Sequence, residues 1–246
     1  MKKPIITGIL LLFITIYISA DDSLDLDLLD IVQSISSEGI DDEKITKLQS
    51  LLNSGANPNV ISTLPYGYIS GNYNGMGFIL YYRYEVTPLM IARPIEVIDL
   101  LLKNGADINF QDNRGRTALM AHSYFHAWGN LDENILPFLI ERGADVNIRD
   151  NFGRTALFYT LVNIGRVGAL QILIESGASV NVVDNNRITI LQTARILSKY
   201  RPEKIRLLEE AGAESNIYIS DELAEGIIWD YMSHGGEDIG FGYGDR

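Results

Sequence analysis

GADVNIRDNFGRTAL, from Gly143 to Leu157, is the stretch whose reading decides the fold. It recurs as GADINFQDNRGRTAL from Gly105 to Leu119 and, weakened, as GASVNVVDNNRITIL from Gly177 to Leu191, with truncated openings at Gly55 (GANPNVI) and Gly212 (GAE). Gly105, Gly143, Gly177 and Gly212 stand 38, 34 and 35 residues apart, close to the roughly 33 of one helix-turn-helix-finger unit. Ahead of each Gly-Ala runs an apolar helical stretch: Ile45 to Leu52, Val97 to Leu102, Ile135 to Ile140, Leu170 to Ile174 and Ile205 to Leu208. Each stops at a glycine, which takes the left-handed position after a helix without steric cost. Thr87, Thr117, Thr155 and Thr189 are placed to cap the next helix through their hydroxyls, and Pro88 sits at the favoured first helical position.

Each unit is thus a pair of short antiparallel helices followed by a finger. No such pair buries its apolar face alone, so neighbours stack into a continuous core along a quasi-one-dimensional solenoid. In these motifs the chain resembles the ankyrin repeat family. The resemblance implies an all-α ankyrin-repeat solenoid of about five helix pairs, with β-hairpin fingers and a protein-binding role. The pair from Leu24 to Asn53 lacks the Thr-x-Leu opening and starts acidic (DDSLDLDLLD), which marks a capping unit. The boundaries expected are a signal peptide at 1–20, an N-terminal capping repeat at 21–62, an insertion at 63–84, ankyrin repeats at 85–213, and a C-terminal capping helix with a glycine-rich tail at 214–246.

Lys2 and Lys3, an apolar run from Ile5 to Ile18, then Ser19-Ala20 before Asp21-Asp22 read as a secretory signal cleaved after Ala20. The run is short of the about 20 residues a membrane span needs; an uncleaved anchor, kept open by the bulky Ile18, is the alternative. Export to the periplasm or the cell exterior is the expectation. Cleavage removes two lysines and moves the formal charge from -12 to -14. That charge repels phosphate backbones and anionic membranes, so the expected partner is a protein with a basic surface, with no nucleic acid and, after cleavage, no membrane. The chain is expected to be a monomer. It contains no cysteine, which removes disulfides, thiol catalysis and thiolate metal sites.

The chain departs from the family pattern in three places. The His that follows Thr-Pro-Leu in the family is replaced by Met90, Met120, Phe158 and Gln192, so apolar packing is expected where that pattern has polar bridging. Unit lengths drift: the second unit is pinched at Arg93-Pro94, where the proline should start the second helix, and the third has extra length from His122 to Leu131, with Pro137 required to lie in the first turn of its helix. The largest departure follows the first finger. Other units run 12 residues from Gly-Ala to Thr, but Gly55 to Thr87 takes 32.

The added 20 or so residues, near Thr63 to Tyr84, hold six of the 13 tyrosines. Gly71-Asn72-Tyr73-Asn74-Gly75 is a turn signal between two β-prone runs, so the insertion reads as an extended hairpin. Tyrosine offers large contact area with little entropy to lose and a hydroxyl that bonds. The candidate partner-binding residues are therefore Tyr66, Tyr68, Tyr73, Phe78, Tyr81, Tyr82 and Tyr84, with Trp128 of the long third unit. A hairpin folded flat on its own helices is the alternative. In the tail, Leu223, Ile227 and Tyr231 share one helical face with Ile228 beside them, enough to close the open end of the stack.

Catalytic signals are thin. His122 and His126 stand four apart, the spacing of a metal pair, but Ser123 occupies the place of the Glu in an H-E-x-x-H motif. His234-Gly235-Gly236 has no G-x-S-x-G elbow to accompany it. The expectation is a non-catalytic module with no cofactor and no metal. An inhibitor or immunity protein for a secreted toxin or hydrolase is the sharper variant, and a metal-binding protein or enzyme using the two histidines is the reading from another class.

Overall fold

The computed structural model describes residues 20–73, 76–125, 134–161, 167–197, 202–214, 220 and 222–227, with side chains except at 20–22, 62–85 and 125. Helices α1 (Ala20–Glu38) and α2 (Asp42–Asn53) form the first pair; α3 (Pro88–Ile91) and α4 (Ile95–Lys103), α5 (Ala118–Phe125) and α6 (Ile135–Glu141), α7 (Ala156–Tyr159) and α8 (Gly168–Glu175), and α9 (Ile190–Leu197) and α10 (Pro202–Glu210) form the others. First helices stack on one another in the order α1, α3, α5, α7, α9. One apolar core runs the length of this stack, from Leu28 and Val32 through Leu101, Leu119, Leu136, Leu157 and Leu173 to Leu208. Pro137 lies in the first turn of α6, and Pro94 immediately precedes α4 rather than opening it. Between the first two pairs, β1 (Ser62–Tyr73) and β2 (Met76–Val86) pair antiparallel.

The helix stops fall where the sequence places them. Gly55, Gly105, Gly143, Gly177 and Gly212 all have φ between +86° and +99°, and the alanine amide after each returns to a carbonyl of the preceding helix, as Ala144 does to Leu139 at 3.0 Å. The caps are less uniform. Thr87, Thr117 and Thr189 accept from Met90, Met120 and Gln192 amides at 3.3, 3.4 and 3.2 Å. At Thr189 the bond is reciprocal, since Gln192 Oε1 accepts from the Thr189 amide at 3.3 Å, a capping box. Thr155 departs from the expectation: it makes no side-chain cap, and its buried Oγ1 has no hydrogen-bond partner. The Phe158 amide keeps only the bond to the Thr155 carbonyl, at 3.0 Å, where the Met90 amide has both the carbonyl and the hydroxyl of Thr87.

Polar bridging between units, expected to be lost with the family's histidines, is present. In each Gly-Ala-x-x-Asn the asparagine spans to the next unit. Asn59 Nδ2 donates to the Gly105 carbonyl at 3.1 Å while its Oδ1 accepts from the Asp107 amide at 2.8 Å. Asn109 does the same to Gly143 and Asp145, Asn147 to Gly177 and Ser179, and Asn181 to Gly212 and Glu214, all between 2.8 and 3.2 Å. At the front of this ladder Asp25 of α1 stands in for the missing asparagine, its Oδ1 accepting from the Asn57 amide at 2.6 Å. That contact joins α1 to the first finger by a hydrogen bond as well as by packing.

The end of the stack is tied by a buried lysine. Lys204 of α10 is fully buried, and its Nζ donates to the Thr160 carbonyl at 2.7 Å. The ammonium thereby meets the negative end of α7. Residues 222–227 are helical, and the face they bury is not the expected one. Ala224 is fully buried with Ile188, while Leu223 is 56% exposed. Ile227 packs with Ala224 against Ile196 and Leu197; Ile228 and Tyr231 lie outside the described residues. Ala224 meets Ile188 at the base of the third finger.

Candidate functional site

The fingers were expected as β-hairpins. Among the described residues they are turns, with one isolated bridge, Val183 to Thr189. The reason lies in the Asp of each finger, which takes over the bonds a strand ladder would need. Asp112 Oδ1 accepts from the Arg114 and Arg116 amides at 2.9 and 2.8 Å, and the backbone closes the turn with the Asp112 amide on the Arg116 carbonyl at 2.9 Å and the Gly115 amide on the Asp112 carbonyl at 2.8 Å. Asp150 repeats this with Phe152 and Arg154, and Asp184 with Asn186 and Ile188.

The backbone groups left over point sideways to the neighbouring finger. The Asn151 amide donates to the Arg114 carbonyl and its Nδ2 to the Asn113 carbonyl, both at 2.9 Å. Asn185 does the same to Phe152 and Asn151 at 2.9 and 2.8 Å. Gln111 reaches the Arg149 carbonyl at 3.1 Å, and Arg149 the Val183 carbonyl at 2.5 Å. The tips are therefore knitted into one strip, and little conformational freedom is left to lose on binding.

The electrostatics differ finger by finger. Arg116 pairs with Asp112 through Nε at 2.7 Å and a terminal nitrogen at 2.6 Å, both side chains buried. Asp150 Oδ2 accepts from Arg154 Nε at 2.9 Å and from the Tyr159 hydroxyl at 2.7 Å. Arg154 also stacks over Phe152 at 4.5 Å and near Tyr159 at 5.4 Å. Burial is the main cause that holds the Tyr159 hydroxyl protonated well above its ordinary range. In the third finger Ile188 takes the place of the arginine, and Asp184 is pushed above the usual carboxylate range by burial, against the lowering effect of its two backbone donors. Arg187 stands there at the glycine position with φ 65°. On the second-helix side, Asp99 of α4 receives Lys103 at 2.7 Å and Arg142 from the next unit. The Lys103 and Arg142 hydrogen bonds hold its carboxyl below the ordinary value.

Of the residues proposed from sequence to bind a partner, Tyr66, Tyr68 and Tyr73 lie on β1 and Phe78, Tyr81, Tyr82 and Tyr84 on β2, while Trp128 lies outside the described residues. From Pro65 to Tyr68 β1 advances three residues while β2 advances two, from Arg83 to Tyr81. One extra residue therefore enters at 66–67, and the strand changes face there. Beyond it the register sets Ile69 opposite Leu80, Gly71 opposite Phe78 and Tyr73 opposite Met76, in phase with Leu64 opposite Tyr84. Positions 64, 69, 71, 73, 76, 78, 80, 82 and 84 share one face of the ribbon, and Tyr68 and Tyr81 fall on the other. Simple alternation along the sequence misses this division, because the extra residue is visible only in the pairing.

His122, expected as a helix-surface or semi-buried residue with a metal pair as the alternative, is fully buried, with Nε2 3.0 Å from the Leu89 carbonyl of the preceding unit. It is a bridge between stacked units. His126 lies outside the described residues. Among the described residues no group of His, Asp and Glu is arranged to hold a metal ion, and no helix is long and apolar enough to cross a membrane.

A stack of helix pairs whose turns are joined into a strip is the architecture of a repeat protein. Residues 89–184 match the family model for ankyrin repeats, in three copies. Ankyrin repeats typically bind proteins and are typically non-catalytic. No curated protein matches the chain.

Proposed function

We propose that this protein is a non-catalytic protein-binding module, exported across a membrane by residues 1–20 and working in the periplasm or outside the cell. The observation that carries the binding role is the run of three matched repeats whose finger tips are joined into a rigid strip. The surface proposed for the partner is the concave face of fingers and first helices, extended by the Tyr-rich insertion. The register supports the insertion's part in it, since it gathers Tyr73, Phe78, Tyr82 and Tyr84 with four aliphatic residues on one face of a two-stranded ribbon. A partner-facing aromatic anchor of this type contributes more than 1 kcal/mol in typical interfaces.

Replacing Thr63 to Tyr84 by a short Asp-x-x-Gly finger tests this reading. Helical circular dichroism should persist, and affinity for the protein captured from the native compartment should fall at least about tenfold, or about 1.4 kcal/mol. An unfolded variant places the insertion on its own helices; one that folds and binds unchanged removes it from the recognition surface. Export has its own measurement. Amino-terminal sequencing of protein from that compartment should begin at Asp21, and Met1 retained on membrane-bound protein overturns the assignment. A blocker of a secreted toxin or hydrolase is the narrower form of the proposal. The formal charge, -14 once residues 1–20 with Lys2 and Lys3 are removed, favours it, because a plug for a basic cleft needs that sign.

A further inference from the structure

The two strands of the insertion are not built alike. β1 carries Pro65, the extra residue at 66–67, and Gly67 and Gly71 within it. Proline has no amide to give a ladder, and proline and bulges are the devices that close a sheet edge to further pairing. β2 (MGFILYYRYEV) has no proline, and its run from Phe78 to Tyr82 is aromatic or aliphatic throughout, the composition of a strand paired on both sides. Yet the sheet is two-stranded, in the order β1-β2. The strand suited to two neighbours has one. A two-stranded ribbon is marginal in water, and three or more strands with an apolar face are needed for stability of its own.

Charge decides which strand completes the sheet. No charged residue stands between Lys47 and Arg83, the longest such run after residue 20, and Arg83 is balanced by Glu85. The chain as a whole carries -12, so two copies repel wherever else they meet. A foreign protein with a basic surface is drawn to the acidic parts of the chain and gains nothing electrostatic at this neutral run. A second copy finds here the place where it is not repelled. A two-fold axis normal to the ribbon sets β2 antiparallel to the second copy's β2 and keeps positions 76, 78, 80, 82 and 84 of both copies on one face. We propose that the protein associates in pairs through the outer edge of β2, giving a four-stranded sheet in the order β1-β2-β2-β1 whose outer edges are the closed ones. The pair takes the place of the expected monomer. It uses a strand edge and leaves the apolar face of the ribbon open, so it holds whether or not an external protein binds there.

Sedimentation of the purified protein, with nothing else present, should show a monomer–dimer equilibrium that tightens as salt rises, because screening removes the repulsion between two acidic stacks. Tyr81→Lys, at the middle of β2, sets two ammonium groups against each other across the axis and should weaken association about fivefold or more. Tyr81→Glu should do the same, and mixing the two variants should restore association, which a merely misfolded hairpin would not do. Ser70→Lys on β1 should leave it unchanged. The chain has no cysteine, so a spin label on Ser70→Cys reports between copies alone. Pulsed dipolar spectroscopy should give a distance of about 15–30 Å, three strand spacings plus the stagger along the strands. A monomer at every concentration and salt overturns the proposal. So does a mixture of the Tyr81 variants that stays monomeric, an association lost with Ser70→Lys but kept with Tyr81→Lys, or a dimer without the short distance.

Discussion

Gly115→Ala should destabilise the stack far more than Gly143→Ala, although both glycines have positive φ. At Gly143, φ is +95° and an added Cβ meets nothing within 4 Å. The cost there is backbone strain alone, about 1–2 kcal/mol. At Gly115, φ is +75°, and a Cβ would lie 2.7 Å from Asn151 Oδ1, 2.8 Å from the Asn151 amide nitrogen and 3.1 Å from the Asp150 carbonyl carbon. Two of those atoms are backbone of the next finger, so relief requires parting the strip. Overpacking adds about 1–3 kcal/mol, for a total of about 2–5 kcal/mol. At about 2–4 °C per kcal/mol for a chain of this size, the first melting transition should drop by roughly 5–15 °C. Gly143→Ala should move it by less than half as much. Equal shifts would mean that the fingers are not packed as described.

Asp150→Ala should be comparably severe, whereas Asp184→Asn should be tolerated at neutral pH. Asp150 is buried and accepts from two amides, Arg154 Nε and the Tyr159 hydroxyl. Removing it strands a partly buried guanidinium and a buried hydroxyl, a loss of about 3–5 kcal/mol. Asp184 keeps the two amide bonds but has Ile188 where Asp150 has Arg154. Asparagine retains an oxygen for both amides and removes the charge that burial opposes. The sign with pH follows. The folded pKa of Asp184 lies above the ordinary 3.8, so the native state holds more protons than the unfolded chain in the window between the two values. Its contribution is therefore most favourable below 3.8 and declines as pH rises through that window. Thermal melts should show Asp184→Asn equal to or above the parent at pH 7, with the advantage shrinking as pH falls towards 3.8. A variant as damaged at pH 7 as Asp150→Ala would show that the Asp184 charge is used.

Much of the architecture was legible because the repeat states its own punctuation. A glycine after each apolar run, a threonine 12 residues later and the intervening Asp-Asn turn are local chemistry, and Gly143, Thr117 and Asp112 behave in the stack as their types dictate. The asparagine ladder was present in the same motif as Gly-Ala-x-x-Asn, yet its meaning needs two units at once. Asn109 makes no sense alone, since both its bonds go to Gly143 and Asp145. The full burial of His122 was illegible for the same reason: the Leu89 carbonyl it meets is 33 residues away.

By itself the sequence determined the order of helix pairs and their stops, because each depends on φ preferences, capping and periodicity within a few residues. Tertiary structure alone decided the rest. Stacking turned the fingers from hairpins into a strip, since their free amides and carbonyls find partners in the next unit instead of across a ladder. It also explains Ile188: the arginine of the other fingers gives way to an apolar side chain where Ala224 covers the turn, and Asp184 is left desolvated beneath it. No local rule contains that exchange, because the two residues that make it are 36 positions apart.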